Sequence, residues 1–136
     1  MSGVHVRVRA GGEDYALSVD SVLEVSELGD VTPVPSASRE VLGVRNLRGQ
    51  VIPVIDLATV FGLDGEAKRE RIVVAEDGER RAALAVERVV DVGTLPAPSE
   101  EAESEYLLGA ALVDGALVGV VNVGAVLASL ASGRTG

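Results

Sequence analysis

The chain contains no cysteine and no tryptophan. Without thiols there can be no disulfide, no thiolate metal site and no cysteine nucleophile, a pattern that fits the cytoplasm. Aromatic residues are nearly as scarce: Tyr15, Phe61 and Tyr106 are the only three in 136 residues. The core must therefore be Val, Leu, Ala and Ile. The single histidine, His5, falls at an exposed-looking strand position and lacks the orienting partner and pocket that a catalytic base needs. Basic residues are outnumbered 12 to 21 by acidic ones, for a net charge of -9. That balance repels a phosphate backbone, and the chain has no aromatic platforms for bases, so nucleic acid is excluded as a partner.

The lack extends to catalytic motifs. Gly12–Tyr15 (GEDY) and Gly78–Arg81 (GERR) read as hairpin tips and match no nucleotide fingerprint. Asp and Glu never cluster with His at metal-ligand spacing. The acidic run Glu100, Glu101, Glu103 and Glu105 reads as a solvated face, because hard-cation sites need ligands that a turn brings together. The residues thus point to no enzyme, no metal and no cofactor. The N-terminus, MSGVHVRVRAGG, has no apolar signal core.

What is present is apolar and patterned. Apolar residues make up 47% of the chain, which suits a folded protein. Leu42–Leu57, LGVRNLRGQVIPVIDL, is the organising stretch. Asn46-Leu47-Arg48-Gly49 joins two runs of β-branched residues, a hairpin signal. Val51, Ile52, Val54 and Ile55 leave little room for a polar face and predict a strand buried on both sides. Pro53 cannot donate to a ladder and predicts an irregular or edge position. Asp56 sits where a helix N-cap would, before Leu57, Val60 and Phe61. Arg48 is the odd residue, a charge amid apolar neighbours that calls for a partner.

The chain then repeats itself. Val4, Val6 and Val8 alternate with polar residues, as do Tyr15, Leu17 and Val19, predicting two strands. Ile72–Val74 and Ala82, Leu84 and Val86 predict two more after the charged linker Gly62–Arg71. At an offset of 66, Gly43 meets Gly109, Leu47 meets Val113, Gly49 meets Gly115, Val54 meets Val120 and Asp56 meets Asn122. At an offset of 67, Leu17 meets Leu84, Val22 meets Val89 and Glu24 meets Asp91. Aligned glycines and capping residues indicate a duplication. The uncharged run Gly115–Gly133 is long enough to span a membrane. Its counterpart in the first repeat contains Pro53 and Asp56, so strand plus short helix is the better reading and no membrane insertion is expected. Each repeat offers four to five short strands and a terminal helix. Such short sheets must close or pack on a twin, which predicts two small β-barrels side by side, about 4–64 and 70–132, in one domain spanning 1–136.

The repeats differ in one telling way: Arg48 aligns with Asp114, while Glu24 aligns with Asp91. Only the first repeat has an acid and a base at these places. Glu24 and Arg48 are therefore predicted to pair, the guanidinium fork on the carboxylate, either as a staple between strands or as part of a binding site.

At these residues the sequence resembles the CheW family of bacterial chemotaxis coupling proteins. The marks are VLEV at Val22–Val25, TPVP at Thr32–Pro35, GVRNLRG at Gly43–Gly49 and VIPVIDL at Val51–Leu57, in order from about Val4 to Leu130. The resemblance implies a mainly β fold of two five-stranded SH3-like barrels with short helices, and no enzymatic activity. It implies a cytoplasmic scaffold that binds the regulatory domain of a CheA-like histidine kinase and the cytoplasmic tip of a chemoreceptor. It links Glu24 and Arg48 to that coupling. Val22, Leu47, Arg48, Gly49 and Val51 complete the expected binding patch with Glu24. The rival readings are an adaptor of a non-flagellar kinase pathway (pili or development), a small-molecule module using the inter-barrel groove, and a lobe of a larger kinase. Met1 and the self-contained repeat are the features against the last.

Overall fold

The computed structural model describes residues 3–63 and 68–133. Ten strands follow one another: β1 (Val4–Ala10), β2 (Glu13–Ser18), β3 (Val22–Glu27), β4 (Val41–Leu47), β5 (Gln50–Asp56), β6 (Arg71–Asp77), β7 (Arg80–Val86), β8 (Arg88–Thr94), β9 (Leu107–Val113) and β10 (Ala116–Val121). Helix α1 (Leu57–Val60) follows β5 and helix α2 (Val123–Gly133) follows β10. The protein is thus mainly β, as its alternating valines predict. The uncharged run Gly115–Gly133 is a strand and an 11-residue helix. Among the described residues no helix is long and apolar enough to cross a membrane.

The strands form two five-stranded sheets, one in the order β8-β1-β2-β10-β9 and the other β3-β6-β7-β5-β4. Under the offsets of 66 and 67 the two orders are identical. The repeats, however, do not each own a sheet, as a division near residues 64–70 would have it. The first sheet holds the opening hairpin of repeat one with the last three strands of repeat two, and the second sheet holds the converse. The cause is local. A single 3₁₀ turn, Val19–Ser21, capped by the Ser18 hydroxyl accepting from the Asp20 N–H at 3.2 Å, follows β2. It sends β3 to pair with β6 instead of returning to β1. Glu87 alone separates β7 from β8 and does the same for the second repeat. Each exchange is sealed by a short parallel pairing, β5 with β7 and β10 with β2. Part of the predicted linker, residues 64–67, lies outside the described residues.

The main core lies where the sheets share their apolar faces. Val6, Val8 and Leu17 from one sheet meet Ile55, Val73, Leu84 and Val86 from the other, closed by Val126 and Leu127 of α2. Tyr15 stacks on Phe61 with ring centroids 4.5 Å apart, joining β2 to the end of α1. Its burial, with Glu13 adding to the effect, pushes the phenol pKa up to about 12. A second cluster, Ile52, Val54, Ile72, Val74, Ala83 and Ala85, fills the other face of the second sheet. Strands β6 and β7 are therefore buried on both faces, which is why their sequences run apolar without alternation.

Strand β5 only partly follows expectation. Ile52, Val54 and Ile55 are buried, but Val51 is 62% exposed. Its ladder with β7 begins only at Val54, so the stretch from Gln50 to Pro53 pairs with β4 alone. That leaves Pro53 on a locally free side, where a missing N–H costs nothing.

Asp56 occupies the N-cap position of α1 without capping it. Its buried carboxylate, 2% exposed, instead accepts from the Thr59 hydroxyl at 2.6 Å and the Arg69 guanidinium at 2.8 Å. In the second repeat Asn122 does cap, its Oδ1 accepting from the Ala125 N–H at 3.1 Å. Arg69→Met is expected to strand the buried Asp56 charge. Arg69 is itself a third exposed, so the cost should fall at or below the low end for a broken buried pair, about 2–3 kcal/mol. Urea denaturation checks this, and adding Asp56→Asn, the residue type at the equivalent position, should recover most of the loss. A double variant as weak as the single one would refute the pairing argument.

A candidate docking site at the tip of β4–β5

The tip of the β4–β5 hairpin is a two-residue turn, Arg48-Gly49, between the paired Leu47 and Gln50. Both residues have positive φ, 54° and 86°, as a turn that matches the strand twist requires. Glycine adopts this freely and arginine does not. The Asn46 Oδ1 steadies the loop by accepting from the Gly49 N–H at 2.9 Å. The second repeat builds the same turn from Asp114-Gly115, with φ of 49° and 82°.

Turning upward at this tip, the Arg48 guanidinium reaches β3. Nη1 donates to Glu24 Oε2 and Nη2 to Oε1 at 3.2 Å, a two-point fork. Glu24 is brought there by a bulge. Val22 pairs with Ala75 and Glu24 with Val74, so Leu23 is the extra residue and the strand re-aims its side chains. The carboxylate keeps the guanidinium protonated and raises its pKa. The Arg48 side chain is 75% exposed and that of Glu24 21%. Arg48, flanked in sequence by apolar residues, thus stands exposed at the rim of an apolar surface.

Beside the pair is a shallow concavity of about 330 Å³ lined by Leu23, Glu24, Leu47, Arg48, Gln50, Val74 and Arg81. Leu23 and Leu47 supply apolar surface, over the buried Val74. Arg81 on β7 forms the far rim. It donates to Glu76 Oε2 at 2.5 and 3.1 Å and to Gln50 Oε1 at 2.5 Å. Every charged group here already has a partner, so the site presents oriented polar groups around an apolar floor rather than a naked charge.

Of the six residues expected to form a binding patch, the structure brings Glu24, Leu47 and Arg48 together. Gly49 contributes the turn. A Cβ added there meets nothing within 4 Å, so its role is conformational. Val22 packs against the main core and does not belong to the patch. The bulge at Leu23 turns it inward, which alternation alone cannot foretell. Val51 is exposed, but it lies on the other face of β5 from Gln50 and Ile52. Three residues were missed. Leu23 is 48% exposed, and its signal was its place beside Glu24. Arg81 and Gln50 flank turns and read as turn residues only.

The equivalent place in the first sheet has different chemistry. His5, Arg7, Asp91, Val113 and Asp114 are among its lining residues. There Arg7, not a hairpin-tip residue, holds the acid, with Nη2 donating to Asp91 Oδ2 at 2.8 Å. His5 Nδ1 lies 2.9 Å from the Gly3 carbonyl oxygen. Among the described residues no three His, Asp or Glu side chains converge as a metal ion would require.

Residues 5–131 match the family model described as CheW-like domain. The chemotaxis protein CheW of Thermotoga maritima is 41% identical over 78 residues, which are 57% of this chain and 52% of that protein. The chemotaxis protein CheA of Salmonella typhimurium is 30% identical over 127 residues, covering 87% of this chain but only 18% of that much longer protein. The crystal structure of the scaffolding protein TtCheW from Thermoanaerobacter tengcongensis superposes with a TM-score of 0.77 at 28% identity, covering 90% of each chain. The match spans both sheets, both exchanged hairpins and the Glu24–Arg48 site, and the chain belongs to the CheW-like domain family.

Proposed function

We propose that this protein is a non-enzymatic, cytoplasmic scaffold that couples chemoreceptors to a CheA-like histidine kinase in chemotaxis signal transduction. The observation that carries the reading is the Glu24–Arg48 fork, held at the rim of an apolar-floored concavity on a family fold that is also found within a CheA. A fork fixed at both ends loses little side-chain freedom on binding, which favours affinity. The apolar surface of Leu23 and Leu47 is small, as suits a protein that must also exist unbound. Control of the kinase would come from unequal affinity for its signalling states, or for those of the receptor. A small-molecule function is the weaker reading, because the polar groups at this concavity are satisfied by one another.

The test is a pull-down and titration with the regulatory domain of a CheA-like kinase, and separately with a receptor's cytoplasmic tip. Arg48→Ala is expected to weaken one of the two by roughly tenfold or more, the effect of losing an arginine anchor. Its melting temperature should stay near that of the unmodified protein, because the side chain is exposed. Unchanged binding to both partners would remove this site from the interface. No binding of the unmodified protein to either would sink the coupling role. ATP added to the pure chain is expected to give no turnover.

A further inference from the structure

The two repeats meet at their helices. At the offset of 66, Glu40 falls on Tyr106, and both hold the same backbone place. The Asp56 N–H donates to the Glu40 carbonyl at 2.7 Å, and the Asn122 N–H to the Tyr106 carbonyl at 2.8 Å. Glu40 and Tyr106 line a cleft of about 120 Å³ together with Thr59 and Val60 of α1 and Ser129 of α2. All five residues are half-buried. The cleft shares no residue with the concavity at the β4–β5 tip.

The hydroxyl protons at this cleft are already committed. Thr59 donates its own to Asp56 Oδ2 at 2.6 Å, and Arg69 holds that carboxylate in place. Ser129 donates to the Val126 carbonyl at 2.6 Å. Thr59 and Ser129 are left with lone pairs, and an ionised carboxylate such as that of Glu40 only accepts. The surroundings are negative as well. Burial raises the pKa of the Tyr106 phenol, the Glu105 and Glu40 carboxylates raise it further, and Ser129 lowers it. Among the described residues, none that lines the cleft is basic. A divalent metal ion needs several converging carboxylates or carbonyls, and among the described residues no such group of acids forms. An ammonium group asks for less, one acceptor for each N–H. At about 30 Å³ for a group the size of a water molecule, the cleft holds an ammonium and a short carbon stem. We propose that it binds a small primary amine in its ammonium form. Glu40, Thr59 and Ser129 accept from the nitrogen, and the stem lies on Val60 and the Tyr106 ring. The inference is independent of the kinase and receptor reading, since it uses neither partner and a different face of the chain.

Titration of the isotope-labelled full chain with n-propylammonium chloride, followed by amide nuclear magnetic resonance, reads it out. Saturable shifts are expected at Thr59, Val60, Tyr106 and Ser129, with a dissociation constant in the millimolar range, as suits a ligand of so few atoms. The net charge of -9 draws any cation to the surface, so tetramethylammonium chloride, of equal charge but with no N–H, is the control. It should shift the same amides without saturating. Glu40→Gln keeps the side-chain shape and should weaken propylammonium roughly fivefold, the upper range for a partly exposed ion pair. Ser129→Ala should weaken it roughly threefold through one lost hydrogen bond. The dispersed spectra of both variants show that they are folded. Absence of saturable shifts at the cleft, equal binding of tetramethylammonium, or unchanged affinity in Glu40→Gln would each overturn the proposal.

Discussion

Cut in the connection at residues 64–67, neither half of this protein is expected to fold alone, and mixing the halves should restore the native structure. The reason is the exchange of strands. In the second sheet the order β3-β6-β7-β5-β4 places two strands of repeat two between β3 and β5. Remove them, and repeat one keeps only two separate hairpins and an orphan β3. Repeat two alone is left with two hairpins and an orphan β8. A lone two-stranded hairpin is marginal in water. The main core fares no better, since Val8 and Leu17 of one half pack with Val73 and Leu84 of the other. Far-ultraviolet circular dichroism of residues 1–65 and 66–136, separately and mixed, checks this. Each alone should read as coil, and the mixture should regain the strand spectrum. Cooperative melting of either half by itself would show that a repeat is autonomous after all.

The same exchange leaves no trace in the pattern of apolar residues. Alternation at Val4–Val8 and at Tyr15–Val19 disclosed strands, because alternation reports which side chains share a face. It says nothing of which strand lies alongside. The partner of β3 was decided by a three-residue turn at Val19–Ser21, too short to carry a recognisable pattern. The duplication, by contrast, was legible because backbone torsions constrain residue type. Gly43 and Gly109 both have φ of 151°, and Gly49 and Gly115 have 86° and 82°. Geometry that excludes most side chains leaves its trace in both copies.

The candidate site was legible in the same uneven way. The asymmetry between repeats predicts the Glu24–Arg48 pair, and the fork is present. Arg48 has apolar neighbours in sequence (Leu47, Val51) yet projects from a turn, which leaves its side chain 75% exposed. The repeat aligns Asp56 with Asn122 as caps. Only Asn122 caps, since Arg69, thirteen residues away, claims the Asp56 carboxylate. Val22, expected in the binding patch, lies against the core, because the bulged Leu23 reverses the alternation.

Gly43→Ala should be the most damaging single substitution available in the second sheet. A Cβ at Gly43 would lie 2.2 Å from the Thr32 carbonyl oxygen and 2.7 Å from its carbon. Those atoms belong to backbone and cannot swing aside as a side chain would. They are also pinned. The Thr32 N–H donates to the Val44 carbonyl at 2.9 Å and the Val44 N–H to the Thr32 carbonyl at 2.8 Å. Relief means breaking both bonds, about 1 kcal/mol each, and uncovering the edge of β4. The φ of 151° adds backbone strain of about 1–3 kcal/mol for a residue with a Cβ. The sum, about 3–5 kcal/mol, is a large part of the stability of an ordinary domain. Gly109→Ala should be milder. Its Cβ meets the Glu100 carbonyl oxygen and the Pro98 Cβ, both at 2.8 Å, so smaller shifts suffice. Gly12→Ala, with φ of 82° and open space around it, should show the cost of the turn conformation alone, about 1 kcal/mol. Urea denaturation of the three variants should rank them in that order with unchanged m-values. A Gly43→Ala variant no weaker than Gly12→Ala would mean that the Thr32–Val44 bridge yields freely and does not guard the edge of the sheet.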